Sequence, residues 1–446
     1  MTPIDIARLG VERVLALGAD SADALVSEAV SLSTSCRLGK MEDVERAESR
    51  DLGLRALIGR RQAFVSGNGV TEESVNALAE RVVAMAQMAP EDPYCGLADP
   101  ALLMTNPDDM LALDLDDSHE PEMAELQEQA LATEATARAV DGITNSEGAG
   151  AGWARGTTGL VTSHGFNASY TTSSWSLSCA VLGGEGDAME RDYASHSARH
   201  GADLDSPAEI GARAAERTLQ RLNPQKINSQ KAPVIFDTRI SASLLGHFSA
   251  AISGTAIARG TSFLKDKMDT KVFADGITII DDPRRPRGLR SVAFDGEGLA
   301  AEKLTPVTDG ILQSWFLDSA TGRQLDLPSN GRAARGIGGP PAPSATNLYM
   351  LPGTQTPEEL MAAIGTGFFA TELIGMGVNG VTGDYSRGAA GFWIENGKLA
   401  YPVSEVTIAG NLKDMFSHLT PASDLEFRRG VNAPTLLVEE MTLAGL

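Results

Sequence analysis

Residues 377–412 read GVNGVTGDYSRGAAGFWIENGKLAYPVSEVTIAGNL. Two apolar runs, Phe392-Trp393-Ile394 and Leu399-Ala400-Tyr401, flank Glu395-Asn396-Gly397-Lys398. Asn-Gly between such runs is the strongest short-range hairpin signal, because both central residues of a type I′ turn need positive φ. The spacing predicts a β-hairpin fed by a glycine-rich loop over 377–387 that carries Asp384, Tyr385, Ser386 and Arg387. Glycine in such a loop lets another backbone approach closely, as extended peptides do when they are gripped.

Working outward, Pro233-Val234-Ile235-Phe236-Asp237 opens this half of the chain on a strand, followed by a helix over 241–253. Short strands are expected around Asp295-Gly296 and Asp309-Gly310, then a Gly/Pro-rich loop over 331–343. Thr356-Pro357-Glu358-Glu359 is a capping box that starts a helix to about residue 364. Many short strands with glycine turns predict a β-rich, barrel-like or strongly curved sheet with few helices.

The N-terminal half has a different rhythm. Ile4, Ala7, Val11, Val14 and Leu15 form an apolar stripe at helical spacing. Val26, Val30, Leu32, Cys36 and Leu38 then alternate with Ser27, Ser31, Ser33, Ser35 and Arg37, which predicts a long half-buried strand. Strands over 52–58 and 63–66 are paired through Gly59-Arg60-Arg61, and Thr71 caps a helix that ends before Pro90. Helix 123–139, strands within 142–183, and a capping box at Ser206-Pro207-Ala208-Glu209 follow. The polar run 223–231 is the best boundary. The expected fold class is α+β in two domains. Residues 1–225 form a mainly antiparallel sheet with flanking helices, and 232–446 form the barrel-like unit.

The chain has 446 residues and a formal net charge of −22. Such acidity argues against direct, nonspecific nucleic-acid binding, which needs Lys and Arg to displace counterions. Cys36, Cys95 and Cys179 lie far apart with no Cys-x-x-Cys pair. Neither a disulfide framework nor a thiolate metal site is expected, and a reducing compartment fits. The opening MTPIDIARLGVERVLALG lacks the basic and long apolar regions of a signal peptide. No run approaches the roughly 18 apolar residues of a membrane span. A cytoplasmic protein is expected.

Four stretches invite a chemical reading. Asp192, His196 and His200 are spaced four apart, which keeps metal ligands on one face of a helix or strand. Their surroundings, Glu190-Arg191-Asp192-Tyr193-Ala194-Ser195, read as an exposed polar loop and favour a surface pair. Loop 331–343, with Arg332 and Arg335, lacks both the P-loop Lys-Ser/Thr spacing and a dinucleotide-binding helix start. It suits a loop packed near a peptide groove. The acidic segment 108–122 lacks the EF-hand spacing and central glycine, and reads as a solvated connection. Ser386 has no Gly-x-Ser-x-Gly elbow around it, although triad partners meet only in space.

GDYSRGAAGFWIENG followed by YPVSEVTIAGNLKDM resembles the C-terminal signature of the PmbA/TldE-type subunits of the TldD/PmbA family, bacterial peptidases also described as modulators of DNA gyrase. The resemblance covers the whole chain, most specifically 233–446. It implies that TldD-type subunits carry His-Glu-x-x-x-His on the first helix of the C-terminal domain, with Glu as base and a C-terminal Cys resembling a third zinc ligand. The matching segment here is Ala242-Ser243-Leu244-Leu245-Gly246-His247, and the Cys position is Ala433. A catalytic zinc needs about three protein ligands plus a water and a base. These positions do not supply them. No catalytic residue, metal or cofactor is expected in this chain, His247 is expected to be a packed histidine, and zinc is expected in a TldD-like partner.

The resemblance thus implies a subunit of a heterodimeric zinc metallopeptidase that cleaves unfolded or extended peptides, this chain supporting the partner's active site and substrate chamber. Asp384, Tyr385, Ser386 and Arg387 are the candidate substrate contacts; equally, they are tethers of a tight turn. A homodimeric adaptor without peptidase activity is the competing reading, and a hydrolase using Asp192, His196 and His200 is a third. The family name also implies processing of a peptide antibiotic, antitoxin degradation and gyrase modulation, with DNA itself disfavoured as a ligand by the acidity.

Overall fold

The computed structural model describes residues 1–68, 70–105 and 112–446, so 108–111 of the acidic segment lie outside the described residues. The N-terminal half is a six-stranded antiparallel sheet: β1 (Ser21–Arg37), β2 (Lys40–Ile58), β3 (Arg61–Asn68), β4 (Ile143–Thr162), β5 (Asn167–Gly183) and β6 (Glu190–Ala198). Their spatial order is β3-β2-β1-β4-β5-β6. The even-numbered residues of β1, from Ala22 to Cys36, point toward helices, as the two-residue period of a strand requires. Helices α1 (Pro3–Ala16) and α2 (Glu72–Met88) cover one end of that face. Helices α3 (Met123–Arg138) and α4 (Pro207–Gln220) cover the other. Capping boxes at Thr2, Thr71 and Ser206 start three of them.

Three local expectations need correction. Strand β2 begins at Lys40, directly after a tight turn at Leu38 and Gly39, both at positive φ. Residues 40–50 are almost all exposed, so no apolar alternation announces them. The β2–β3 turn is Gly59-Arg60 alone, with Ile58 opposite Arg61. Residues 190–198 are not a polar loop but strand β6, paired with β5 from Trp175↔Ala198 to Gly183↔Glu190.

The C-terminal half is built on β7 (Gln230–Phe236), β14 (Gly367–Ile374), β15 (Asp384–Glu395), β16 (Lys398–Asn411), β17 (Leu419–Pro421) and β19 (Leu436–Ala444), in the order β16-β15-β14-β7-β19-β17. Strand β19 also pairs with β16 through Thr407↔Ala444, Ile408↔Leu443 and Ala409↔Thr442, which closes the ring. The sheet is therefore barrel-like. Asn396 and Gly397 turn β15 into β16 at φ 52 and 74, as the Asn-Gly signal requires. A smaller sheet runs β10-β9-β8-β13-β18: β8 (Ile279–Asp281), β9 (Leu304–Thr308), β10 (Ile311–Leu312), β13 (Leu348–Met350) and β18 (Val431–Asn432). Loop 331–343 folds on itself through β11 (Ala333–Ala334) and β12 (Ala342–Pro343). Asp295-Gly296 forms a turn rather than a strand end, with Gly298 donating its N–H to the Asp295 carbonyl at 3.0 Å.

Helix α5 (Thr238–Ala251) is capped by Asp237, whose Oδ1 accepts from the Arg239 N–H, so it starts three residues before the expected 241. It buries Leu244, Leu245 and Phe248 in the same core as Phe236, Phe368 and Ile408 of the barrel strands. The two halves join over the sheet face opposite the helices. Leu25, Leu160 and Phe166 pack there against Ala293 and Phe294. Gly53 receives loop 331–343 so closely that a Cβ would stand 2.1 Å from the Ile337 carbonyl oxygen. Asp23 of β1 faces Arg55 of β2 across the strand pair and also meets Arg335 of loop 331–343.

Candidate functional site

Asp384 to Arg387 are not a loop, as the glycine content suggested, but the first residues of β15, opposite Asn411, Gly410, Ala409 and Ile408. The preceding turn is tied down by backbone bonds from Asn379 N to Asp384 O and from Gly383 N to Asn379 O, both 2.8 Å. Asp384 is exposed and accepts from Thr382 Oγ1 at 2.6 Å and from Asn411 Nδ2 at 3.0 Å. Those two donors hold its carboxyl below the usual range. Ser386 is exposed, and its N–H donates to the Gly377 carbonyl at 2.7 Å. Gly377 has no alternative, because a Cβ would stand 1.9 Å from Ser386 O.

Tyr385 points the other way and is 1% exposed, with its hydroxyl unpartnered. Its ring meets that of His247 edge-on at 6.0 Å. His247 is half-buried with Nε2 unpartnered, and burial, reinforced by Arg387, lowers its pKa and favours the neutral imidazole. Arg387 faces Ala242 and Ser243 of α5 across a cavity of about 460 Å³. Ala433 lines an adjoining cavity of about 730 Å³ and accepts the Ser241 hydroxyl hydrogen bond at 3.2 Å.

The structure therefore brings Ala242, Ser243 and Ala433 to one composite cleft with Arg387, and leaves Asp384 and Ser386 exposed at the start of β15. These residues do not fit a catalytic metal. Among Ala242, Ser243, His247 and Ala433 only His247 carries a good ligand atom, and Ser243 gives its hydroxyl to the Ile240 carbonyl at 2.6 Å. Among the described residues, no group of three or more His, Cys, Asp or Glu side chains is arranged to hold a metal ion.

What surrounds the cleft instead is arginine. Arg239 grips buried Asp192 with both terminal nitrogens, at 3.1 and 2.5 Å. Burial opposes the Asp192 carboxylate, but Arg239 and Arg221 outweigh it and hold its pKa below the ordinary value. Arg213 and Arg428 share Asp205, at 2.8 and 2.7 Å. By contrast, among the described residues the Arg217 side chain reaches only the Tyr193 carbonyl, at 3.3 Å, and that of Arg429 only the Arg239 carbonyl, at 2.9 Å. Arg387 Nε is buried without a partner. Sequence spacing did not reveal this set, because its members are scattered from residue 213 to residue 429.

The other constellations are spoken for. His196 Nδ1 accepts from the Asp205 N–H at 3.0 Å, and His200 Nε2 lies 3.0 Å from the Asp114 carbonyl. With Asp192 bound to Arg239, the three never converge on one point. Arg332 lies 2.5 Å from Asp281, both fully buried, so loop 331–343 does not offer its arginines to a phosphate. Arg335 Nη1 lies 2.6 Å from Asp23 Oδ1, though out of line for a hydrogen bond. Asp295 is pushed up to about 7 by burial and by Glu297, and accepts from the N–H groups of Glu297, Leu299 and Ala333. It pins the loop in place.

A closed barrel with helix α5 packed in its core, joined to an all-antiparallel sheet, defines the class of protein. Residues 22–86 match PmbA/TldA metallopeptidase domain 1, 116–222 the central domain, and 229–445 the C-terminal domain. The chain belongs to the PmbA/TldD metallopeptidase family. It is 37% identical over 430 residues to metalloprotease PmbA of Escherichia coli O157:H7, covering 96% of this chain and 92% of that one. A PmbA homolog of Haemophilus influenzae is also 37% identical, covering 95% and 92%. A crystal structure of a putative modulator of DNA gyrase from Bacteroides thetaiotaomicron superposes with a TM-score of 0.90 at 26% identity, covering 99% and 98%. TldE from Thermococcus kodakarensis shares the fold at a TM-score of 0.86 and 21% identity, covering 99% of each chain.

Proposed function

We propose that this chain is the PmbA/TldE-type subunit of a two-chain zinc metallopeptidase acting on unfolded or extended peptides. A TldD-like partner holds the zinc and the general base, and this chain completes the walls of the substrate chamber. One observation carries the reading. The positions where the family resemblance implies a metal site read Ala242, Ser243 and Ala433, and they line a cleft of guanidinium groups. A cluster of fixed positive charge would repel a divalent cation, and Ser243 stands where the resemblance implies the general base. Asp384 and Ser386, exposed at the start of β15, are the residues we assign to meet a peptide or the partner.

The free thiols of Cys36, Cys95 and Cys179 accord with a reducing, cytoplasmic setting. No helix among the described residues is long and apolar enough to cross a membrane. Co-expression with a TldD-like chain from the same organism, only one of them tagged, is expected to return the two in equal amounts by size-exclusion chromatography. Recovery of this chain solely as a homodimer, with the partner in the flow-through, would favour the adaptor reading.

A further inference from the structure

The arginine cleft has a surplus of charge that the chain does not use. Among the described residues, no carboxylate lies within ion-pair distance of Arg217, Arg290, Arg387 or Arg429. The carboxylates on the cleft wall are engaged elsewhere. Asp424 accepts from the Thr435 N–H and hydroxyl at 2.9 and 2.7 Å, Glu426 pairs with Arg428 at 2.7 Å, and Glu372 pairs with Arg221 at 2.6 Å. In a chain of net charge −22, four guanidinium groups without a carboxylate partner among the described residues, lining two adjoining cavities, form a local reversal of sign. Gly430 protects the arrangement, since a Cβ there would stand 2.4 Å from Arg290 Cδ.

We propose that this cleft recognises a carboxylate group of a peptide. A buried guanidinium nitrogen without an acceptor, such as Arg387 Nε, is costly unless a ligand supplies one. Burial and neighbouring Arg239 bring Arg217 down to about 10, so an anion would relieve crowding among like charges. The planar fork of arginine matches the two oxygens of a carboxylate. Cavities of about 730 and 460 Å³ hold more than a lone ion. Leu289, Ile240 and Leu373 give the walls apolar surface for the residues beside the carboxylate. The overall acidity works against a polyanion such as nucleic acid. The carboxylate comes either from a free C-terminus or from an acidic side chain, and the choice of a peptide rests on the proposed peptidase role.

The test is calorimetric titration of the isolated full-length chain with three versions of one uncharged peptide: free acid, C-terminal amide, and amide with a single internal Glu. The free acid, the Glu peptide or both are expected to bind about tenfold or more tighter than the neutral amide. The arm that gains identifies the source of the carboxylate. The gain should vanish in Arg217→Gln/Arg387→Gln and survive in part in Arg387→Lys. If the double variant unfolds early, exposed Arg290→Gln replaces it and should cost a several-fold share of the gain. Equal binding of all three peptides overturns the proposal, as does an undiminished gain in the variants or displacement by inorganic phosphate with no gain for either carboxylate. Because neither partner nor zinc takes part, loss of the gain alongside intact partner-dependent cleavage sinks the site alone. A gain without such cleavage sinks the subunit role alone.

Discussion

Asp23→Ala is expected to lower the free energy of unfolding by about 3–5 kcal/mol, the range for stripping one partner from a buried ion pair. Asp23 is 1% exposed and Arg55 3%, and Arg335 also closes on Asp23 from the C-terminal half. Without the carboxylate, two buried guanidinium groups lose their ion-pair partner, and the fastening between loop 331–343 and β1 is lost. The effect should depend on pH in a definite direction. Burial opposes the charged form of Asp23, but Arg335 and Arg55 outweigh it and hold its folded pKa below the ordinary value. Such a group stabilises above the unfolded carboxylate pKa of about 4 and loses that contribution as pH falls through its folded value. The gap between wild type and variant should therefore be widest at neutral pH and narrow on acidification below pH about 4. Urea unfolding followed by tryptophan fluorescence across that range checks both. A gap below about 1 kcal/mol at pH 7 would mean the contact is a surface-like pair.

Phe248→Ala is the second large effect, with an expected loss of about 3–5 kcal/mol. Phe248 is fully buried on α5, edge-on to Phe273 at 5.2 Å and to Phe416 at 6.4 Å, while Phe273 and Phe416 stack at 4.5 Å. Truncation opens a cavity in the centre of the barrel core, beneath the helix that positions Arg239, Ala242 and Ser243. Phe248→Leu, closer in volume, should cost markedly less. Equal losses for Leu and Ala would show that ring geometry, rather than filled volume, holds α5.

What could be read from the residues alone was whatever is encoded within a few positions. The β15–β16 hairpin was legible because Asn396-Gly397 meets the φ demand of its turn. The helices at Thr71, Ser206 and Thr356 were legible because the cap and its third residue bond each other. Residues 40–50 were not, since a strand exposed on both faces has no apolar alternation to show. The start of β15 at Asp384 was hidden by glycines that serve close backbone packing, as at Gly377, rather than a loop. The ring closure of β16 on β19 is a pairing across separate segments of the chain. For the cleft, the resemblance singled out Ala242, Ser243 and Ala433 as former metal positions and the loop reading singled out Arg387, but nothing joined them as one site. Their arginine neighbours come from α4, α5 and two loops, and only folding assembles them.

The most direct test is zinc content and peptidase activity of the pure chain, alone and mixed with a TldD-like chain. The account predicts near-stoichiometric zinc and cleavage of unfolded peptides only in the mixture. Zinc held by the isolated chain together with cleavage would contradict it, and would return attention to Asp192, His196 and His200.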